Sequence, residues 1–122
     1  MSFVDLDTST FTTGSDSAAS FTTKALSGGL YMIAYVRDST ATALSTNASL
    51  TVTAERSGLV ALSVSAFTST TDTAWLPRRK ITSTAGSTIG IYEMLPLANE
   101  RLTFTLSSGG ATKGGTFRTF VV

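Results

Sequence analysis

The sequence predicts an all-β protein, an antiparallel β-sandwich of jelly-roll-like form with about eight strands. Three observations carry that expectation. Apolar residues alternate with hydroxyl residues at period 2, most clearly at Leu50, Val52 and Ala54 and again at Leu102, Phe104 and Leu106. Short strand-like runs are separated by Gly- and Ser-rich turn signals at fairly regular spacing. No stretch longer than a turn has the period of a helix. A single core is in reach, because the chain has 122 residues and 42% of them are hydrophobic.

Residues 1–17 read as an N-terminal arm or edge segment, polar but with apolar anchors at Phe3, Val4, Leu6 and Phe11. Residues 18–122 read as one sandwich domain. Residues 18–26 form an irregular strand, and Ser27-Gly28-Gly29 turns the chain into the next one. That next run, Gly29 to Arg37, is apolar at both alternating sets of positions: Leu30, Met32, Ala34 and Val36 on one, Tyr31, Ile33 and Tyr35 on the other. A run of this kind belongs in the middle of a sheet with something covering each side. A polar connection covers 38–47. The half-buried strand 48–55 then pairs through Ser57-Gly58 with 59–67 as a hairpin. After a polar loop at 68–74 comes Trp75 to Ile81, where Pro77 argues for a bend or an edge. Ser83 to Gly86 turns, and Ile89, Ile91 and Tyr92 mark a strand ending near Leu95-Pro96. Arg101 to Leu106 and Thr116 to Val122 flank a Gly-rich turn and read as a closing hairpin.

Composition narrows function mainly by exclusion. There is no Cys, hence no disulfide frame and no thiolate ligand, and no His, the commonest general base and metal ligand. The eight carboxylates are scattered and show no paired spacing of the kind glycoside hydrolysis needs. Asp5 and Asp7 lack the further oxygen ligands of a calcium loop. Gly109-Gly110 and Gly114-Gly115 have no Gly-Lys-Ser/Thr ending, so they are turn glycines and not a phosphate loop. The expectation is a protein that is not an enzyme and needs no cofactor or metal.

Charge points to assembly. Only 14% of residues are charged, the net charge is +1, and Ser and Thr supply 40 of the 122 positions. Such a surface suits a protein packed against others better than a monomer kept soluble by charge. Arg78-Arg79-Lys80 is the one charge cluster, and with overall charge near zero and no second basic patch no nucleic-acid binding is expected of it. Trp75 lies beside it, and Trp and Arg are enriched at interfaces. Phe3, Phe11, Trp75, Arg78, Arg79 and Lys80 are therefore the candidate partner-contact residues. No apolar run is long enough for a membrane helix and no signal peptide is evident, so membrane association is not expected.

The order of pieces adds a resemblance. The strand Gly29-Leu30-Tyr31-Met32-Ile33-Ala34-Tyr35-Val36 leads, and Leu50 to Glu55 follows. Trp75 with its basic stretch and Ile81 comes next, then Thr84-Ala85-Gly86, Arg101 to Leu106, and Gly114-Gly115-Thr116-Phe117. Over residues 29–122 this pattern resembles small β-sandwich virion structural proteins of tailed bacteriophages. The resemblance implies a non-enzymatic capsid decoration (cement) protein, made in the host cytoplasm and seated on the capsid surface. It would bind the major capsid protein or neighbouring virion subunits, as a homo-oligomer with a trimer favoured. A tail or head–tail connector subunit is the alternative within that class. A carbohydrate-binding β-sandwich module is the alternative from another class; its aromatics would come from Trp75, Tyr31, Tyr35 and Tyr92.

Overall fold

The computed structural model describes residues 5–38, 43–67, 72–82, 84–86 and 88–122. Among these residues the chain forms eleven strands and no helix. They are β1 (Asp5–Thr12), β2 (Ala19–Thr22), β3 (Leu26–Arg37), β4 (Ser49–Ala54), β5 (Val60–Val64), β6 (Thr73–Trp75), β7 (Arg79–Thr82), β8 (Thr88–Glu93), β9 (Leu95–Glu100), β10 (Leu102–Ser107) and β11 (Gly114–Val121).

One sheet runs β1-β11-β3-β6, with β9 also paired to β3, and the other runs β2-β10-β4-β5. The hairpin β7-β8 forms a small third sheet. With β7, β8 and β9 set aside as an insert, eight strands remain. Their orders are first-eighth-third-sixth and second-seventh-fourth-fifth, which is the topology of a jelly roll. The predicted fold class is therefore the observed one, and the surplus over eight strands is the insert.

The core lies between the two sheets. Leu50, Val52 and Ala54 of β4 and Leu102, Phe104 and Leu106 of β10 are all buried, as their alternation requires. Facing them, Phe11, Phe117 and Tyr35 come from β1, β11 and β3. Phe21 of β2 stacks on both Phe11 and Phe104, with ring centroids 5.4 and 5.0 Å apart, and so ties the sheets together. The same end is stitched by polar contacts: Asp7 accepts the Lys24 amide at 3.1 Å, and Lys24 Nζ lies 2.7 Å from Asp5.

Three sequence expectations change. Strands β10 and β11 do not form a hairpin. Each enters a different sheet, and Phe104 meets Phe117 across the sandwich at 5.2 Å. Two alternating strands with a Gly-rich link can pair edge to edge or stack face to face, and here their apolar faces meet. Ser27-Gly28-Gly29 is not a turn but lies inside β3. Gly28 has φ 126°, and a Cβ there would stand 2.5 Å from the Val122 carbonyl oxygen, so glycine lets the end of the chain pass close by. Residues 5–12, for which the sequence leaves an arm and an edge segment both open, form a full edge strand, registered from Asp5 opposite Val121 to Thr12 opposite Gly114. Finally, β9 continues where the preceding strand was expected to end, and it pairs with the first half of β3.

Strand β3 is central, but its two faces differ. Its register against β11 slips between Leu30 and Met32, which leaves Tyr31 as an extra residue. The bulge reverses the side-chain phase, so Leu30 and Ile33 are both buried although they lie three residues apart. Beyond it, Met32, Ala34 and Val36 sit half-buried on the outer face, so among the described residues only the inner face is fully covered.

Candidate interaction surface

Jelly-roll order leaves β5 and β6 as the last strands of their sheets, on the side opposite the stitched β1–β2 end. The insert is fastened there, and the basic run does the fastening. Arg78 is half-buried: Nη1 donates to the Tyr31 carbonyl at 3.0 Å and to the Pro77 carbonyl at 2.7 Å. Its guanidinium also sits 5.4 Å over the Tyr31 ring, a cation–π geometry. Arg79 is exposed, and its Nη1 donates to the Val60 carbonyl at 3.3 Å, which brings β7 alongside the start of β5. Lys80 is exposed and stands 5.6 Å over the ring of Tyr92, its register partner on β8.

Four of the five large apolar side chains exposed among the described residues gather around this run. Leu76 is 55% exposed, Tyr92 57%, Val60 46% and Leu59 36%. Leu76 precedes the run in the β6–β7 link, Tyr92 lies under Lys80, and Leu59 and Val60 are held beside Arg79. Val60 points outward because β5 carries a bulge. The register to β4 slips between Leu62 and Val60, Ala61 is the extra residue, and Val60 leaves the core face that Leu62 and Val64 keep.

The turn beneath the patch is held by a buried acid. Glu100, 4% exposed, accepts the amides of Arg56 and Ser57 on Oε1 at 3.1 and 3.3 Å, and the Ala98 amide on Oε2 at 3.4 Å. It thereby joins the end of the insert to the β4–β5 turn that leads into Leu59 and Val60.

The predicted contact residues therefore divide. Arg79 and Lys80 lie in the patch. Arg78 secures the insert beneath it. Trp75 is half-buried and packs edge-on against Phe67 at 5.5 Å. Phe11, read as a partner anchor, is instead 7% exposed and stacked between Phe21 and Phe117, so it serves the core. Phe3 lies outside the described residues. Sequence reasoning did not pick out Leu59, Val60 and Leu76 as contacts, and weighed Tyr92 only as a glycan aromatic. Val60 carried no signal, since it continues an inward-looking period-2 run until the bulge displaces it.

The acidic side chains near the N-terminus are used internally. Asp5 pairs with Lys24, Asp7 accepts from Ser9 and Lys24, and Asp16 accepts the Ala18 amide. The Lys24 side chain and the Leu6 amide hold the Asp5 carboxyl below its ordinary range. Among the described residues no three acidic side chains converge on a possible cation position. A recess lined by Thr10, Val36, Arg37, Asp38, Gly115 and Thr116 holds about 90 Å³, well below the size of a typical small-molecule site.

The larger-scale arrangement is thus an exposed patch, apolar and basic, on the insert side of a jelly roll. Comparison of the chain with protein-family models, with curated proteins and with solved structures finds no match.

Proposed function

We propose that this chain is a non-enzymatic structural subunit of a phage particle, with capsid decoration as the preferred role. It docks on the major capsid protein or a neighbouring virion subunit through Leu59, Val60, Leu76 and Tyr92, with Arg79 and Lys80 meeting acidic groups of the partner. One observation carries the reading: the exposed large apolar side chains cluster on one side of the sandwich around two exposed cations. Apolar anchors ringed by charge are how protein interfaces obtain affinity and orientation together. Many copies on one particle let a modest contact act through avidity. The phage assignment itself rests on the sequence resemblance, and the sparse charge and Ser/Thr-rich strands support it.

The carbohydrate-binding alternative needs several rings on one flat face. Trp75 packs on Phe67, Tyr35 is buried, and Tyr31 lies under Arg78, which leaves Tyr92 as the exposed ring among the four.

The test is immunogold labelling of phage particles induced from cells carrying the gene. Label spread over the head supports decoration. Label confined to the neck or tail moves the assignment to a connector or tail subunit. Unlabelled particles overturn the virion reading. Where heads are labelled, adding the Leu76→Asp/Tyr92→Ala protein back to undecorated heads should give little binding.

A further inference from the structure

We propose that strand β5 is a self-pairing edge, through which two copies of this chain join their β2-β10-β4-β5 sheets into one continuous sheet across a twofold axis. No described strand pairs with the far side of β5. An edge strand presents unpaired backbone N–H and C=O groups, and another strand is what satisfies them best.

The occupant follows from how the sheet edges differ. Proteins block edges with charge, proline or short length. Edge strand β1 carries Asp5 and Asp7 and is stitched to the β2 end through Lys24. Strand β2 has four residues and β6 has three. Strand β9 carries Pro96 and Glu100. Strand β5 is bulged at Ala61 but has neither charge nor proline: from Ser57 to Thr71 the sequence holds no charged residue and no proline. Val60, Ala61, Leu62 and Val64 give it the β-branched and apolar character of a strong strand former. A copy of itself meets it without like-charge repulsion, whereas a charged partner strand is better served by the neighbouring Arg79 and Lys80. Arg79 covers the Val60 carbonyl and the bulge lies at Ala61, so the pairing segment is Leu62–Val64 with Ser63 near the axis.

Such a contact is isologous and closes at two copies. The trimer expected from the decoration role would require a second, different contact. The pairing uses other residues than the docking patch, so either can fail alone.

The test is sedimentation equilibrium of the wild-type chain, Ser63→Lys and Tyr92→Ala over a wide concentration range. A monomer–dimer equilibrium is expected for wild type and for Tyr92→Ala. Ser63→Lys should weaken it about tenfold or more, because two lysines then face each other across the axis. Ser63 is exposed, so a folded variant is expected, checked by an unchanged circular dichroism spectrum. Independently of any variant, hydrogen exchange of wild-type amides within 62–64 should slow as concentration rises. A wild-type monomer at all concentrations, a dimer indifferent to Ser63→Lys, or exchange that ignores concentration overturns the proposal.

Discussion

Removing the Glu100 carboxylate should loosen the insert side of the molecule without disturbing the sandwich core. Its side chain is buried and its oxygens receive three backbone amides, two of them in the β4–β5 turn. Hydrogen bonds to a charged group contribute roughly 1.5–3 kcal/mol each at good geometry. At 3.1, 3.3 and 3.4 Å these three are long, so each sits near or below the bottom of that range. Glu100→Ala removes both acceptor oxygens, and with them all three hydrogen bonds, and leaves a small void, an expected loss of about 2–3 kcal/mol. Glu100→Gln keeps one oxygen of similar shape but no charge, an expected loss of about 1 kcal/mol. For a domain of this size each kcal/mol moves Tm by about 3–6 °C. Urea and thermal unfolding at neutral pH measure both losses. Native-state hydrogen exchange should show faster exchange at Arg56 and Ser57 in Glu100→Ala, with the amides of β10 little changed. If Glu100→Ala costs less than about 0.5 kcal/mol, or the two turn amides keep their protection, the carboxylate does not hold the turn.

Three further outcomes follow from the core. Phe117→Ala opens a void among Phe11, Phe21, Tyr35 and Phe104 and should cost about 3–5 kcal/mol in urea unfolding, a large part of the roughly 5–15 kcal/mol that holds a domain folded. Gly28→Ala should lower Tm by several degrees, since its Cβ would stand 2.5 Å from the Val122 carbonyl at a φ that side chains avoid; Gly29→Ala, which meets only the flexible Met94 side chain at 3.3 Å, should cost clearly less. Burial raises the Tyr35 phenol above its ordinary value of 10.0, opposed in part by the Leu44 backbone nearby. The folded state then holds that proton more tightly than the unfolded state. The stability this confers is present below pH 10 and is lost as pH rises toward the folded value, so Tyr35→Phe should flatten the alkaline limb of a Tm-against-pH curve.

The parts of the fold legible in the sequence are those a single strand decides for itself. Leu50, Val52 and Ala54 alternate because one face of β4 is wet and the other dry, and that asymmetry is written residue by residue. Strand partnership is not local. Nothing between Leu106 and Gly114 says that the strands on either side enter different sheets, because the alternation is the same whether they pair or stack. Bulges hide for a related reason. The phase change at Tyr31 depends on a partner strand far along the chain and the one at Ala61 on the register of the β4–β5 hairpin, so a uniform apolar run conceals both. The candidate site inherits both limits. Its charges were visible as Arg78-Arg79-Lys80. Its apolar half was not, since Val60 is turned out by a bulge and Leu76 and Tyr92 are gathered by the insert's docking. Phe11 was misassigned because an aromatic residue in a polar stretch has the same local sequence whether it anchors a partner or its own core.

Strand β1 meets β11 in register from Asp5 opposite Val121 to Thr12 opposite Gly114, and β3 receives β11 on its other side. Until residues 114–121 have left the ribosome, β1 lacks its neighbour and β3 has partners on one side alone, β6 and β9. The larger sheet therefore cannot be completed progressively during synthesis and must close after translation reaches its last strand. Such long-range closure places folding on the millisecond-to-second scale typical of β-sandwiches. During that interval Phe11 of β1 and the apolar row of β3 are open to other nascent chains, which makes slow, cool expression the condition under which the most chain should reach the native sheet order.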